Sequence, residues 1–217
     1  EDTSRGTAQT VSVVRRSVFD ELSDSESRHI RMLKVLRETL PDDAVIAGDI
    51  CQVIYTGAFA YPVEQPRQWH YPAGYCTLGC GLPNGIGGKL ALGDTPVVVV
   101  AGDGGFMFTV QELATAVHHR IPVVTVVLDN ASYGNVKTIQ ANSYGGRHIA
   151  VDLTNPDFVA LGRSFGIESS RVDSPEAFGE ALVRALEADA PRLIVVPIGE
   201  VPSIWEMIKR PPSQGVS

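Results

Sequence analysis

Val97-Val98-Val99-Val100-Ala101-Gly102-Asp103-Gly104-Gly105 is the stretch on which the fold turns. Its apolar run has no polar alternation, which predicts a strand buried on both faces, as in a parallel sheet covered by helices. Pro96 opens the run and the glycines of Gly102 to Gly105 predict a turn after it. A second run, Val123 to Leu128, is opened by Pro122 and ends in Asp129-Asn130-Ala131-Ser132-Tyr133-Gly134. Between the two, Val110, Leu113 and Val117 fall on one face of a helix from Thr109 to His119.

Outward from this centre the alternation continues. Upstream, Ile30, Leu33, Leu36 and Leu40 have helical spacing and stop at Pro41, and Ser23-x-x-Glu26 has capping-box spacing before them. Ala44 to Ala47 reads as a short strand ending at Gly48-Asp49. A loop or helix covers Tyr55 to Ala60, and a Pro-rich connection follows. Gly79 to Leu92 is glycine-rich but carries Leu82, Ile86 and Leu90, so a helix is expected there. Downstream come a weak helix near Tyr133 to Gln140, an irregular stretch over 141–154 and a helix from Asn155-Pro156 to about Phe165. Then follow a strand Ile167 to Val172, a helix opened by Ser174-Pro175, a strand Leu193 to Val196 and a helix Pro202 to Lys209. The expected fold class is α/β: a doubly wound parallel sheet of about five or six strands with helices on both faces. Residues 1–25 are expected to be a linker or tail, 26–210 the domain and 211–217 a second tail.

The 217 residues suit one large α/β domain. Hydrophobic residues make up 44% and charged residues 20%, which excludes a disordered or collagen-like chain. Net charge is −7 without a basic block, so nucleic acid is not an expected partner. No apolar run reaches the roughly 20 residues of a membrane span. Cys51, Cys76 and Cys80 are too few for a disulfide framework and point to a reducing, cytoplasmic compartment. The chain begins at Glu1 rather than Met, so a processed or excised piece is expected.

Ligands of doubly wound sheets bind at the carboxyl ends of the strands. Asp103 and Asn130 sit just past two such ends. A carboxylate, an amide oxygen and backbone carbonyls are hard ligands that suit Mg²⁺. Glycines let the backbone approach a bound group, and helix N-termini near Thr109 and Gly134 favour phosphate. These residues together predict a diphosphate held through a divalent cation.

Gly102-Asp103-Gly104, with Asn130 27 positions after Asp103, resembles the thiamine diphosphate-binding domain of the acetolactate synthase, pyruvate decarboxylase and benzoylformate decarboxylase superfamily. Gln111 to Ala116, Ile121-Pro122, Cys76-Thr77-Leu78-Gly79-Cys80-Gly81-Leu82-Pro83 and Pro197 to Trp205 extend the likeness over roughly residues 26–209. The resemblance implies Mg²⁺ ligands from Asp103, Asn130 and the Ser132 carbonyl. It implies that N–H groups of Gly104, Gly105, Tyr133 and Gly134 hold the diphosphate beside Gly102. Leu78 would wedge the cofactor into its bent form, and the Cys76 carbonyl would accept from its 4′-amino group. Asp49, Cys51 and Gln52 occupy the family's first cofactor-contacting loop. Asp129 stands where the family commonly has a first Asn, Asn84-Gly85 where it has small residues, and Cys76 where it has Gly.

The implied activity is decarboxylation of a 2-oxo acid, or acetolactate synthase-like carboligation. The family's catalytic Glu lies in a separate pyrimidine-binding domain, and no catalytic residue is assigned to this chain. The implied partners are that domain or subunit, a small 2-oxo acid, and further copies in a homo-oligomer. Two other readings stand beside this one. Gly79-x-Gly81 could begin an NAD-binding fingerprint, but Asn84 replaces its third glycine. A non-catalytic module that kept the cofactor site is the other. His70 and Tyr133 are candidates to touch substrate, or simply to pack, and the polar loop Gln140 to His148 is of the kind that closes over sites.

Overall fold

The computed structural model describes residues 9–13, 24–63 and 65–199. The expected helix at Pro202 to Lys209, Ser23 of the capping box and most of the 1–25 tail lie outside the described residues. The labelled elements are α1 (Asp24–Thr39), β1 (Val45–Gly48), α2 (Gln52–Ala60), β2 (Trp69–His70), α3 (Gly81–Leu92), β3 (Val97–Gly102), α4 (Asp103–Met107), α5 (Glu112–His118), β4 (Val124–Asp129), α6 (Gly134–Ser143), α7 (Phe158–Ser164), β5 (Glu168–Arg171), α8 (Pro175–Leu186) and β6 (Arg192–Pro197).

Among the described residues six parallel strands form one sheet in the order β2-β1-β3-β4-β6-β5. The unbroken apolar runs have the expected cause. On β3, Val98 and Val100 meet Leu33 and Leu36 of α1, Ile54 of α2 and Phe178 and Leu182 of α8. Val97, Val99 and Ala101 turn the other way, toward Leu82 and Ile86 of α3, Phe106 of α4, Leu113 of α5 and Phe158 of α7. Side chains alternate faces along a strand, so only a strand covered on both sides needs apolar residues at every position. Burying one such side chain contributes about 1.5–3 kcal/mol.

The topology opens a crevice. From β1 the chain leaves through α2 on one face of the sheet; from β3, beside it, it leaves through α4 and α5 on the opposite face. The two connections diverge at the carboxyl ends of neighbouring strands, which is where open α/β sheets bind ligands.

Several expectations shift. Gly102 to Gly105 is not a free turn: Asp103 starts the short helix α4, and α5 begins at Glu112 rather than Thr109. The Pro-rich connection contains the edge strand β2, paired through Ile46↔Trp69 and Ala47↔His70. Pro156 lies ahead of α7, because Asp157 takes the cap: its carboxylate accepts from the N–H groups of Val159 and Ala160. Ser174 caps α8 as expected, accepting from Ala177 N, with Pro175 in the first turn.

Candidate functional site

The loops after β1, β3 and β4 and the approach to α3 surround a cavity of about 220 Å³. Its wall includes Ile50, Cys51, Gln52, Tyr55, Cys76, Leu78, Gly102, Asp103, Gly104, Gly105, Asn130, Ser132, Tyr133 and Gly134. The structure therefore brings together twelve of the thirteen residues singled out in the sequence. Asp49 is the one that does not face the cavity wall. Its carboxylate is fully buried, accepting from Ile50 N at 2.7 Å and from Gly81 N at 2.9 Å. A Cβ on Gly105 would come within 2.6 Å of Asp49 Oδ1, so α4 leans on the same carboxylate. Asp49 thus ties the end of β1 to the start of α3 and to α4.

Asp103 is 1% exposed at the end of β3. Gly104 N donates to its Oδ1 at 2.8 Å and the Asn155 amide to its Oδ2 at 2.7 Å. Burial pushes its carboxyl above the usual carboxylate range; the Asn155 and Gly104 donors oppose this, and the neighbouring Asp129 charge adds to it. A cation beside it would favour the ionised form. Asp129 also accepts from the Asn155 amide, at 2.9 Å, and pairs with Arg171 at 3.4 Å.

The loop after β4 is shaped for its contents. Ala131 is left-handed, with φ 52°. The loop is pinned to the segment ahead of α7 by Tyr133 N to Val151 O at 2.9 Å, Leu153 N to Ala131 O at 2.8 Å and the Ser132–Asp152 bridge. The Tyr133 N–H donates to the Val151 carbonyl, while Tyr133 itself stands in the cavity wall. Its ring covers Gly104, whose Cα has no room for a methyl against Tyr133 and Leu153. A Cβ on Gly134 would sit 3.2 Å from Asn130 Nδ2, so this glycine admits the Asn130 amide.

Gln52 Oε1 is buried without a hydrogen-bond partner among the described residues, although Gln52 lines the cavity; its Nε2 reaches Asn135 Oδ1 at 3.5 Å. An orphaned buried acceptor at a cavity wall fits a ligand that brings a donor. Burial pushes the Cys51 thiol up to about 12, with Asp49 and Asp103 adding to it, and the Tyr55 phenol up to about 12, with the Cys76 thiol adding to it. Both groups are neutral at ordinary pH. Cys76 is left-handed, with φ 54°.

Outside the cavity wall, Thr115 donates to Glu112 within α5, and His118 and His119 meet edge to face 4.7 Å apart. Gln140 exchanges two hydrogen bonds with the Ile149 backbone and so holds the loop that follows α6. Asn155 was read in the sequence only as a helix start, and nothing there placed it against Asp103, 52 residues away. Asn135 and Val136 also line the cavity and carried no sequence signal, whereas Ile50 and Ile198 lie in segments that carry the resemblance.

Residues 49–196 match the family described as thiamine pyrophosphate enzyme, C-terminal TPP binding domain. The chain is 35% identical to a probable acetolactate synthase large subunit of Methanococcus aeolicus, over 81% of this chain and 30% of the relative. It is 34% identical to a probable 2-ketoarginine decarboxylase of Pseudomonas aeruginosa, over 83% of this chain and 34% of the relative. A solved thiamine diphosphate-dependent 4-hydroxybenzoylformate decarboxylase of Rhodococcus jostii superposes with a TM-score of 0.72 at 30% identity, covering 80% of this chain and 33% of that one. The chain spans about a third of the length of these relatives. The glycine-lined crevice at the ends of β1, β3 and β4 falls inside the matched span, and the chain belongs to the thiamine pyrophosphate enzyme family as its C-terminal cofactor-binding domain.

Proposed function

We propose that this chain anchors thiamine diphosphate through Mg²⁺ in an enzyme acting on 2-oxo acids, by decarboxylation or by acetolactate synthase-like carboligation. One observation carries the anchoring: the cavity wall holds a buried carboxylate, Asp103, and neither Lys, Arg nor His. Among the described residues of the wall, none brings a positive charge to neutralise a diphosphate. A divalent ion held by Asp103 would supply that charge.

Asp103, the Asn130 side chain and the Ser132 carbonyl are the proposed metal ligands, all hard oxygens. Gly102, Gly104, Gly105 and Gly134 leave backbone room for the diphosphate. Gln52 accepts a donor from the ligand at its orphaned Oε1. Leu78 and the apolar sides of Cys51 and Tyr55 exclude water from the bent cofactor, and the Cys76 carbonyl orients its aminopyrimidine. Bound thiamine diphosphate would supply a cationic thiazolium ring, an electron sink for the pair left behind when a 2-oxo acid loses CO₂.

The names of the relatives support the 2-oxo acid class. Because the chain spans about a third of them, the catalytic Glu is assigned to a pyrimidine-binding domain or subunit outside this sequence, and the working form to a homo-oligomer. Residues 26–210 are the proposed domain. No described helix is long and apolar enough to cross a membrane. Three free cysteines support a reducing cytoplasmic setting.

The test is turnover of a panel of 2-oxo acids with thiamine diphosphate and Mg²⁺. The chain alone is expected to be inactive and to gain activity when a pyrimidine-binding domain carrying the Glu is added. Full turnover by the chain alone contradicts the split site.

A further inference from the structure

We infer that Asn155 is a positioning residue that aims Asp103 at the divalent cation and holds Asp129 away from it; this rests on the reading of Asp103 as a metal ligand. The amide nitrogen of Asn155 has two hydrogens, and both are spent on carboxylates: 2.7 Å to Asp103 Oδ2 and 2.9 Å to Asp129 Oδ1.

Those carboxylates are neighbours by construction. β3 and β4 pair with Gly102 opposite Leu128, and the next residue of each chain segment is an aspartate: Asp103, which starts α4, and Asp129, the last residue of β4. Two carboxylates side by side repel in a poorly hydrated site, and either could reach for a cation placed between them. The shared amide bridges them. It occupies Asp103 Oδ2 while Gly104 N occupies Oδ1, and the Ala131 backbone donates to the same carboxylate, which together fix its rotation. On the far side Arg171 takes Asp129 Oδ2 at 3.4 Å, so both oxygens of Asp129 are engaged by protein donors rather than by a metal cation.

Asn155 is itself anchored. It lies two residues past Leu153, whose N–H donates to Ala131 O, and two residues before Asp157, which caps α7. The segment that clamps the Asn130–Ser132 loop therefore also delivers the amide, and the proposed ligands of both loops move as one unit. Removing partners that orient metal ligands typically weakens metal binding about 10–100-fold.

The experiment is a calorimetric titration of thiamine diphosphate into the purified full chain over a Mg²⁺ series, giving the Mg²⁺ midpoint for binding, with cofactor-free melting curves alongside. Asn155→Ala and the volume-conserving Asn155→Leu are expected to raise the Mg²⁺ midpoint by about tenfold or more. Cofactor affinity should recover at saturating Mg²⁺. Adding Asp129→Asn to Asn155→Ala is expected to restore much of the loss, because the competing charge is gone; an amide with only a packing role would show no such rescue. Asp103→Ala is the control and should abolish Mg²⁺-dependent binding. Wild-type midpoints in both Asn155 variants, or a double variant no better than the single one, overturn the inference while a dead Asp103→Ala leaves the site reading intact. No Mg²⁺-dependent binding in the wild type, or binding that survives Asp103→Ala, overturns the site reading and the inference with it.

Discussion

Replacing Asp49 separates its structural duty from a ligand-contacting one. Its two oxygens satisfy the N–H groups of Ile50 and Gly81, and nothing else within reach is seen to take those donors. Hydrogen bonds to a charged group contribute about 1.5–3 kcal/mol each, and a buried N–H left unpaired costs about 1–3 kcal/mol. Asp49→Ala loses both bonds and recovers part of the cost of burying the charge, so about 3 kcal/mol of destabilisation is expected. For a chain of this size about 1 kcal/mol corresponds to roughly 2–4 °C, so the melting temperature should fall by roughly 6–12 °C. Asp49→Asn keeps the volume and one acceptor but turns an NH₂ toward one of the two donors, and should lose about half as much. The assay is thermal unfolding followed by circular dichroism without cofactor or metal. Were Asp49→Ala to melt within about 2 °C of wild type, the brace would be wrong and a purely cofactor-facing role would return.

Other consequences can be tested directly. In α3, Gly85→Ala drives a methyl into Val99 and should cost about 1–3 kcal/mol, more than the gain of about 1 kcal/mol in helix propensity. Gly87→Ala, whose site is open, should instead stabilise by about 0.5–1 kcal/mol; equal melting temperatures for the two variants would contradict the packing of this helix. With its thiol pushed up to about 12 by burial, Cys51 carries almost no thiolate at pH 8, and Cys80, pushed up to about 11, carries little. Iodoacetamide followed by mass spectrometry should therefore label exposed Cys76 first, and Cys51 should resist until the chain unfolds. Early labelling of Cys51 at pH 8 would show that its pocket is open to water. Gly134→Ala should push the Asn130 amide aside and weaken Mg²⁺-dependent cofactor binding with little change in cofactor-free melting, read by calorimetry and circular dichroism.

The strands that carry the site were legible because burial on both faces leaves one reading for a run such as Val97 to Ala101. The capped helix α8 was legible because Ser174-Pro175 states its start locally. α4 was not: Asp103-Gly104-Gly105 has poor helix propensity, and its helix depends on Asp49, on Tyr133 over Gly104 and on Phe106 buried beneath the sheet. β2 was missed because two residues between prolines carry no periodicity, and only pairing with β1 makes them a strand. Asp103 and Asn130 followed from strand ends, and most other residues of the cavity wall from the family resemblance. Asn155 did not, since its role depends on a fold that brings it to residues 26 and 52 positions earlier. Asp49 was placed in the right loop, but the direction of its side chain is set by Gly81 and Gly105, which no local pattern reveals.

The most direct measurement is a calorimetric titration of thiamine diphosphate into the wild-type chain and into Asp103→Ala, each with Mg²⁺ and with EDTA. Anchoring through a cation at Asp103 predicts saturable binding by the wild type with Mg²⁺ and no binding in EDTA or in a folded Asp103→Ala. Binding of equal strength in EDTA, or in Asp103→Ala, would contradict it.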